Sequence, residues 1–357
     1  MFFLRQHRKV GGRCSGPVVN ISESMFVSQI NWAPFKNIIE RHQSFLITTH
    51  VRPDADALGS QRGLAALLES FGREVLMVNA TAPPENLNFM NQDGQVKKLG
   101  DGIRKDEIPD VDVQIVVDTS AWQQLGGICE VIRGSDCTRV IIDHHVSSDD
   151  LGASEFKDVA SAATGELIYE AAEYLGVTFD ADVASWLYAA IATDTGWFRF
   201  PSTTSQTMRI CAALMDQGAQ PDVIYNHIHE QWSVARMHLL SRVLGRMQVD
   251  CGGRLAWITV TRSDLEATQA VLSDTEGLVN QCLTVAGSKA AFIAVELPTG
   301  QVKCSLRCRP PYDVAAFAER LGGGGHRLAA GVTLSGGFSE AVERIRQEFQ
   351  QMLESLK

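Results

Sequence analysis

The sequence predicts a two-part α/β architecture: a mostly parallel sheet with helices on both faces, a helical connector, and a smaller α+β unit. Three observations predict it. From about residue 26 to 205, short apolar runs of β-forming residues alternate with stretches of helical spacing, the rhythm of βαβ units. Past residue 205 the spacing is mostly helical. Beyond residue 245, two pairs of strand-like runs are each separated by a short turn.

The elements follow in order. Residues 44–49 (SFLITT) read as a strand, and 55–71 as a helix with Leu58, Leu64, Leu67 and Leu68 at helical spacing. Strands are predicted at 74–78 (EVLMV), 113–117 (VQIVV) and 139–142 (RVII), and helices at 165–174 and 183–192. Residues 207–217 and 222–247 are predicted helical, with Pro221 a break or first-turn residue. Residues 247–250 and 254–260 flank Cys251-Gly252-Gly253 as a hairpin, and 290–297 and 301–308 form a second pair around Pro298-Thr299-Gly300. A helix at 314–321 precedes a glycine run, and a helix at 339–356 closes the chain. The expected organisation is an extension over 1–25, a sheet domain over 26–205, a helical connector over 206–244 and an α+β domain over 245–357.

Composition narrows the function. A chain of 357 residues suits about two domains at roughly 100–200 residues each. With 45% hydrophobic and 21% charged residues it has ample material for buried cores. A net charge of −10 argues against a surface that grips long duplex nucleic acid. No apolar run reaches the ~18 residues needed to cross a bilayer, so no membrane partner is expected. The eight cysteines are dispersed without a C-x-x-C pair, which points to a reducing cytoplasm. Arg5, Arg8, Lys9 and Arg13 precede the first acid, Glu23, as in a transit peptide. This segment lacks an amphipathic period and contains Gly11-Gly12, so a disordered extension is the expectation.

The informative feature is where acids and histidines fall. The first strand runs into His50-Val51-Arg52-Pro53-Asp54-Ala55-Asp56, VQIVV into Asp118, and RVII into Asp143-His144-His145. In an open parallel sheet ligands bind at that carboxyl edge. A helical run adds Asp194 at its end. Mixed imidazole and carboxylate donors suit Mn²⁺, Fe²⁺ or Zn²⁺ better than Ca²⁺. His50, Asp54, Asp56, Asp118, His144 and Asp194 are too many for one ion and suit two, about 3.5–4 Å apart with a bridging carboxylate. A strand-end Asp is also a common turn residue or helix cap, and adjacent histidines can be surface residues. Six metal-type side chains at four such places exceed what capping accounts for.

HVRPDADALGS (50–60), VVDTS (116–120), IIDHH (141–145) and AIATDTGWF (190–198) resemble the four motifs of the DHH phosphoesterase superfamily, in their usual order. LGGGGHRLAAG (321–331) resembles the GGGH-x-x-AAG signature of its DHHA1 domain. The resemblance spans about residues 30–357, and the size and domain pair look like the short nanoRNase/pAp-phosphatase group. It implies a DHH domain, a DHHA1 substrate-binding domain and two divalent ions, with Mn²⁺ expected. It implies hydrolysis of short oligoribonucleotides to mononucleotides and of the 3′-phosphate of adenosine 3′,5′-bisphosphate. Alternatives within the superfamily are a phosphodiesterase for linear or cyclic dinucleotides such as pApA and a RecJ-like single-strand exonuclease. A non-hydrolytic nucleotide-binding regulator is disfavoured, because all six ligand positions are filled.

By position, the resemblance implies that His50, Asp54 and Asp118 hold one metal, and Asp56, Asp118, His144 and Asp194 the other. His145 would face substrate phosphate as a proton donor or leaving-oxygen stabiliser, and Asp143 would orient a histidine through its ring N–H. Ser305, Arg307, Gly323, Gly324, Gly325 and His326 would bind substrate, the glycines through backbone N–H groups approached closely by phosphate. One glycine would suffice for a helix C-cap, and four exceed it. Arg309 could be merely solvated, and Cys304 and Cys308 read as ordinary small side chains. The expected partners are short single-stranded RNA or nucleotides, with monomer and homodimer both open.

Overall fold

The computed structural model describes residues 29–146 and 148–355, and of His326 the backbone. The expected extension over residues 1–25 lies outside the described residues. The chain divides into two compact units, the first ending at Glu230 and the second starting at Gln231. The helical stretch expected as a connector is therefore shared out: its first two helices belong to the first unit and its third to the second.

The first unit runs α1 (Ala33–Arg41), β1 (Ser44–Thr48), α2 (Ala55–Ser70), β2 (Glu74–Asn79), β3 (Val96–Lys98), β4 (Val113–Val117), α3 (Cys129–Arg133), β5 (Thr138–Asp143), β6 (Ser154–Lys157), α4 (Thr164–Leu175), α5 (Ala181–Asp194), α6 (Ser205–Asp216) and α7 (Pro221–His229). Its six strands form one parallel sheet in the order β3-β2-β1-β4-β5-β6. The chain builds outward from β1 to one side, then returns to build outward from β4 to the other. The β1/β4 boundary is thus the topological switch point, where a crevice opens at the strands' carboxyl ends.

Both sheet faces are buried, which explains the near-continuous apolar strands. Phe45, Ile47, Ile115, Val117, Val140 and Ile142 pack under α2, α4 and α5. Leu46, Val116 and Ile141, one position out of phase, meet Ile132 of α3 and the short helical turn carrying Leu125 and Ile128. Helix α2 lies tight on α5, because a Cβ at Gly59 would stand 2.3 Å from the Trp186 carbonyl oxygen. β3 and β6 had no sequence forecast; they are three and four residues long and mostly polar, and ladder pairing with β2 and β5 defines them.

The second unit runs α8 (Val234–Leu244), β7 (Gln248–Asp250), β8 (Leu255–Val260), α9 (Arg262–Thr268), α10 (Val279–Cys282), β9 (Ala290–Glu296), β10 (Val302–Cys308), α11 (Ala315–Arg320), β11 (Gly324–His326), β12 (Ala329–Leu334) and α12 (Phe338–Glu354). Its sheet has the order β11-β12-β10-β9-β8-β7 and is antiparallel except at β8–β9. One face packs Phe292, Cys304, Leu306 and Val332 against Phe317 of α11 and Phe349 of α12. On the other face α8 and α10 cover β8 and β9 through Leu239, Val243, Val279, Ile258 and Ile293.

Candidate functional site

Three strands of the first sheet end at one edge, and their last residues deliver the acidic and imidazole groups. His50 lies two residues past β1. Asp54 is the N-cap of α2, its Oδ1 accepting from the Ala57 N–H at 3.0 Å, and Asp56 sits in that helix's first turn. Asp118 follows β4 directly, in the left-handed region at φ 61°. Asp143 closes β5, with His144 and His145 next, and Asp194 is the last residue of α5.

These residues converge on Asp118, which is 2% exposed. Its Oδ2 lies 3.4 Å from His50 Nε2, and its Oδ1 3.7 Å from His144 Nε2. His144 Nε2 also faces Asp194 Oδ2 at 3.3 Å and Asp56 Oδ2 at 3.7 Å, while His50 Nε2 faces Asp54 Oδ1 at 3.9 Å. Candidate ligand atoms of His50, Asp54 and Asp118 lie within 4.8 Å of one another, as do those of Asp56, His144 and Asp194. The six residues singled out in the sequence thus form two adjoining triads with Asp118 facing both.

The hydrogen bonds set the ring nitrogens. His50 Nδ1 meets the Val51 carbonyl at 3.0 Å, and His144 Nδ1 meets the Ser161 carbonyl at 3.2 Å. A carbonyl only accepts, so each Nδ1 carries the proton and each Nε2 turns a lone pair into the cluster. That is the tautomer a metal ligand needs. The carboxylates are held as firmly. Asp56 accepts from the backbone N–H groups of Thr164 at 2.7 Å and Gly165 at 2.9 Å, the first turn of α4, and Asp118 Oδ1 accepts from the Thr164 hydroxyl at 2.9 Å.

Electrostatics makes the same point. Burial, then the charges of Asp56, Asp54 and Asp194, drive the Asp118 carboxyl well above the usual range. Burial and the charges of Asp56 and Asp54 push Asp194 up to about 8. Four carboxylates cannot share this space as anions without a compensating cation, and divalent ions supply that charge. Converging Nε2 lone pairs and crowded carboxylates fit divalent metals on this chain's own geometry.

His145 sits differently. Its ring is 46% exposed and its Nδ1 pairs with Asp143 Oδ1 at 2.9 Å. Asp118, His144 and His145 also lie close enough to share an ion. The His145 nitrogen near Asp118, however, is that same Nδ1, at 3.7 Å and already engaged. Burial raises the Asp143 carboxyl, but the His145 and Ser120 hydrogen bonds outweigh it and hold it at about 2. Bonding to Asp143 in turn raises His145 above the ordinary imidazole value.

Sequence reading missed the groups that hold this set: Ser120, Lys157, Ser161, Thr164 and Gly165. Ser120 lies within a quoted motif. Lys157 sits in a short polar strand, Ser161 in the turn before α4, and Thr164 and Gly165 in its first turn, where only a helix start was legible.

In the second unit the alternation of β10 places Lys303, Ser305 and Arg307 on one face and buries Cys304, Leu306 and Cys308 on the other. Ser305 stands opposite Gly331, and Arg307 opposite Ala329, in β12. Gly331 is opposite Gly324, and Ala329 is opposite His326, in β11. The glycine run, read in the sequence as more than a helix cap, is a turn plus an edge strand. Gly322 takes φ +83° to leave α11, and a Cβ at Gly323 or Gly325 would stand 2.2 or 2.6 Å from a β12 carbonyl oxygen. Gly324 has open space. Burial lowers the Arg307 guanidinium, which donates to the Leu306 carbonyl at 2.9 Å. Arg309 donates to the Leu283 carbonyl at 2.9 Å.

Residues 44–191 match the model of the DHH family, N-terminal domain, and residues 263–355 that of the DHHA1 domain. The chain is 29% identical over 307 residues to the bifunctional oligoribonuclease and PAP phosphatase NrnA of Thermus thermophilus, covering 85% of this chain and 89% of that one. It is 26% identical over 302 residues to the protein of the same name in Bacillus subtilis, covering 83% and 91%. The crystal structure of an exopolyphosphatase-related protein from Bacteroides fragilis superposes with a TM-score of 0.85 at 26% identity, covering 92% of this chain and 100% of that one.

Proposed function

This chain belongs to the DHH–DHHA1 phosphoesterases, and from that premise we propose that it cleaves short oligoribonucleotides to mononucleotides and removes the 3′-phosphate of adenosine 3′,5′-bisphosphate. One observation carries the reading: two adjoining carboxylate–imidazole triads meet at Asp118 on the switch-point edge of a parallel sheet. NrnA-named relatives, matched over most of their own length, support the substrate class.

Each residue has a task. His50, Asp54 and Asp118 would hold one divalent ion, and Asp56, His144, Asp194 and Asp118 the other, with Mn²⁺ the proposed metal. Bound divalent ions supply Lewis-acid activation of the attacking water and neutralise charge on the phosphoryl group. His145 would donate a proton to the departing oxygen through the ring nitrogen that Asp143 leaves unengaged, Nε2, while Asp143 keeps Nδ1 protonated. Thr164 and the first turn of α4 keep Asp56 and Asp118 aimed at the metals. Arg307, Ser305, the backbone at Gly324 and His326 would bind substrate phosphate, because a half-buried arginine on the Ser305 face of β10 offers a fork that matches phosphate. Gly323 and Gly325 let β11 lie flat on β12 and so contribute to that surface through the backbone.

The test incubates purified protein and Mn²⁺ with 5′-labelled RNAs of graded length, from dinucleotide upward, with adenosine 3′,5′-bisphosphate in parallel. Fast turnover of the shortest RNAs and of the bisphosphate, abolished by chelation, is the expected result. A long RNA degraded as fast as a trimer would favour the RecJ-like reading. Turnover of pApA alone would favour the dinucleotide phosphodiesterase.

A further inference from the structure

Lys157 is a lysine drawn almost wholly inside the first unit, its side chain 12% exposed, and no step above uses it. It ends β6, and the parallel register places it directly beside Asp143, the last residue of β5. Its Nζ lies 3.2 Å from Asp143 Oδ2 and donates to Ser120 Oγ at 3.0 Å. The Ser120 hydroxyl donates in turn to the same Oδ2. Asp143 is wholly buried, so an unpaired oxygen there would carry a large desolvation cost. Two donors from two different strand ends claim Oδ2. They leave Oδ1 to a single residue, which bonds it twice: through the His145 backbone N–H at 3.1 Å and through its Nδ1 at 2.9 Å.

We propose that Lys157 is a positioning residue: with Ser120 it pins one oxygen of Asp143 so that the other fixes the His145 ring with Nε2 turned out to substrate. The physical reason is rotational. A carboxylate held at one oxygen alone can swing about its χ torsions, and a ring tied to it swings too. Anchored at both oxygens, it presents a fixed acceptor, and a proton donor misplaced by an ångström forfeits much of its rate. Lys157 supplies reach and charge from a neighbouring strand, where the β5–β6 ladder fixes its origin. It acts through Asp143 and His145. The inference rests on the reading of His145 as the substrate-facing group.

The test is a double-mutant cycle on the full chain, loaded with Mn²⁺, with kcat and KM measured separately on a short RNA. Lys157→Met is expected to lower kcat about tenfold or more with little change in KM, and to retain wild-type metal content while lowering the melting temperature, because buried Asp143 loses its charged partner. In a His145→Ala background the same change is expected to cost almost nothing, because the group it positions is gone. Ser120→Ala, measured in the same cycle, stands in if Lys157→Met fails to fold. A substrate-independent readout is the downfield ring N–H proton of His145 shared with Asp143, assigned by its loss in His145→Ala and expected to broaden or vanish in Lys157→Met. Equal cost in both backgrounds, wild-type kcat in Lys157→Met, or an unchanged ring N–H signal overturns the proposal. If the wild type cleaves neither short RNA nor the bisphosphate, the functional reading fails instead. The ring signal and a cycle on bis-p-nitrophenyl phosphate then still decide the role of Lys157.

Discussion

Asp118 holds a backbone conformation that non-glycine residues rarely adopt, at φ 61°, and its side chain is almost fully buried among three other acids. Such strain persists only where surrounding structure over-determines it, and it concentrates at functional sites. Replacing Asp118 with Ala removes the one carboxylate that faces both triads. Activity should fall by several orders of magnitude, and retention of more than about a tenth, a cost of only ~1.4 kcal/mol, would reject the two-metal assignment. The roles proposed for the tandem histidines, metal binding and proton transfer, can be tested separately. His144→Ala deletes an Nε2 directed at Asp56, Asp118 and Asp194 and should lose metal by elemental analysis. His145→Ala deletes a ring whose Nδ1 is tied to Asp143, and it should keep metal while kcat drops. Equal metal loss in both variants would assign the pair wrongly. All six acid and imidazole positions of the cluster were legible because strand-end Asp and His stood out against apolar runs. Which nitrogen of each ring is free was not, because backbone carbonyls of Val51 and Ser161 decide it.

At the scale of elements the glycine run divides by cause. Gly323 lies against β12, where an added Cβ would meet the Gly331 carbonyl oxygen at 2.2 Å and Val332 Cβ at 2.7 Å. Gly324 has nothing within 4 Å of that position. Gly323→Ala should therefore destabilise the second unit by about 1–3 kcal/mol through overpacking, read in denaturant melts. Gly324→Ala should melt like the wild type yet lose turnover of short RNA, because its methyl group would block phosphate approach to the backbone. A Gly324→Ala enzyme with full activity would remove this strand from the substrate surface. The glycines read in the sequence as more than a helix cap, but the strand they build did not, since its order comes from pairing with β12 rather than from β propensity. β6 escaped for the same reason. Its SEFK sequence is too short and polar to signal a strand, and the parallel ladder with β5 makes it one.

The whole molecule carries −10 yet is proposed to act on anions. Two divalent ions would reverse the sign locally, and salt screens the more distant charge over ~8 Å. The two units handle buried charge in opposite ways. In the first, burial and then crowding by like charges drive Asp118 and Asp194 up. In the second, Asp264 is wholly buried beneath Arg242, whose Nε donates at 2.7 Å, and Arg246. Burial raises that carboxyl, but the Arg246 and Arg242 hydrogen bonds outweigh it and hold it well below the usual range. A depressed folded value means stability that is complete above the unfolded carboxylate value, about 3.9, and is lost as pH falls toward the folded one. Calorimetry should show the second unit losing stability on acidification below about pH 4. Asp264→Asn should cost about 1.5–3 kcal/mol at neutral pH and flatten that acid dependence. An unchanged acid slope in the variant would place the effect elsewhere.

The sequence by itself determined the two-part α/β plan, the apolar strands and the identity of the six acid and imidazole positions. Period-2 and helical spacing are local, and strand-end acids stand out wherever buried strands stop. Only the tertiary structure decided that residues 93 positions apart in the chain, such as His50 and Asp143, share one edge, because the strand order that brings them there is a property of the sheet. It also decided where the helical stretch divides between the units, which turn hydroxyls and carbonyls fix each ring, and that a lysine from an unheralded strand reaches Asp143. Those groups act through cross-strand register and buried hydrogen bonds, which bring together residues with no periodic relation in the sequence.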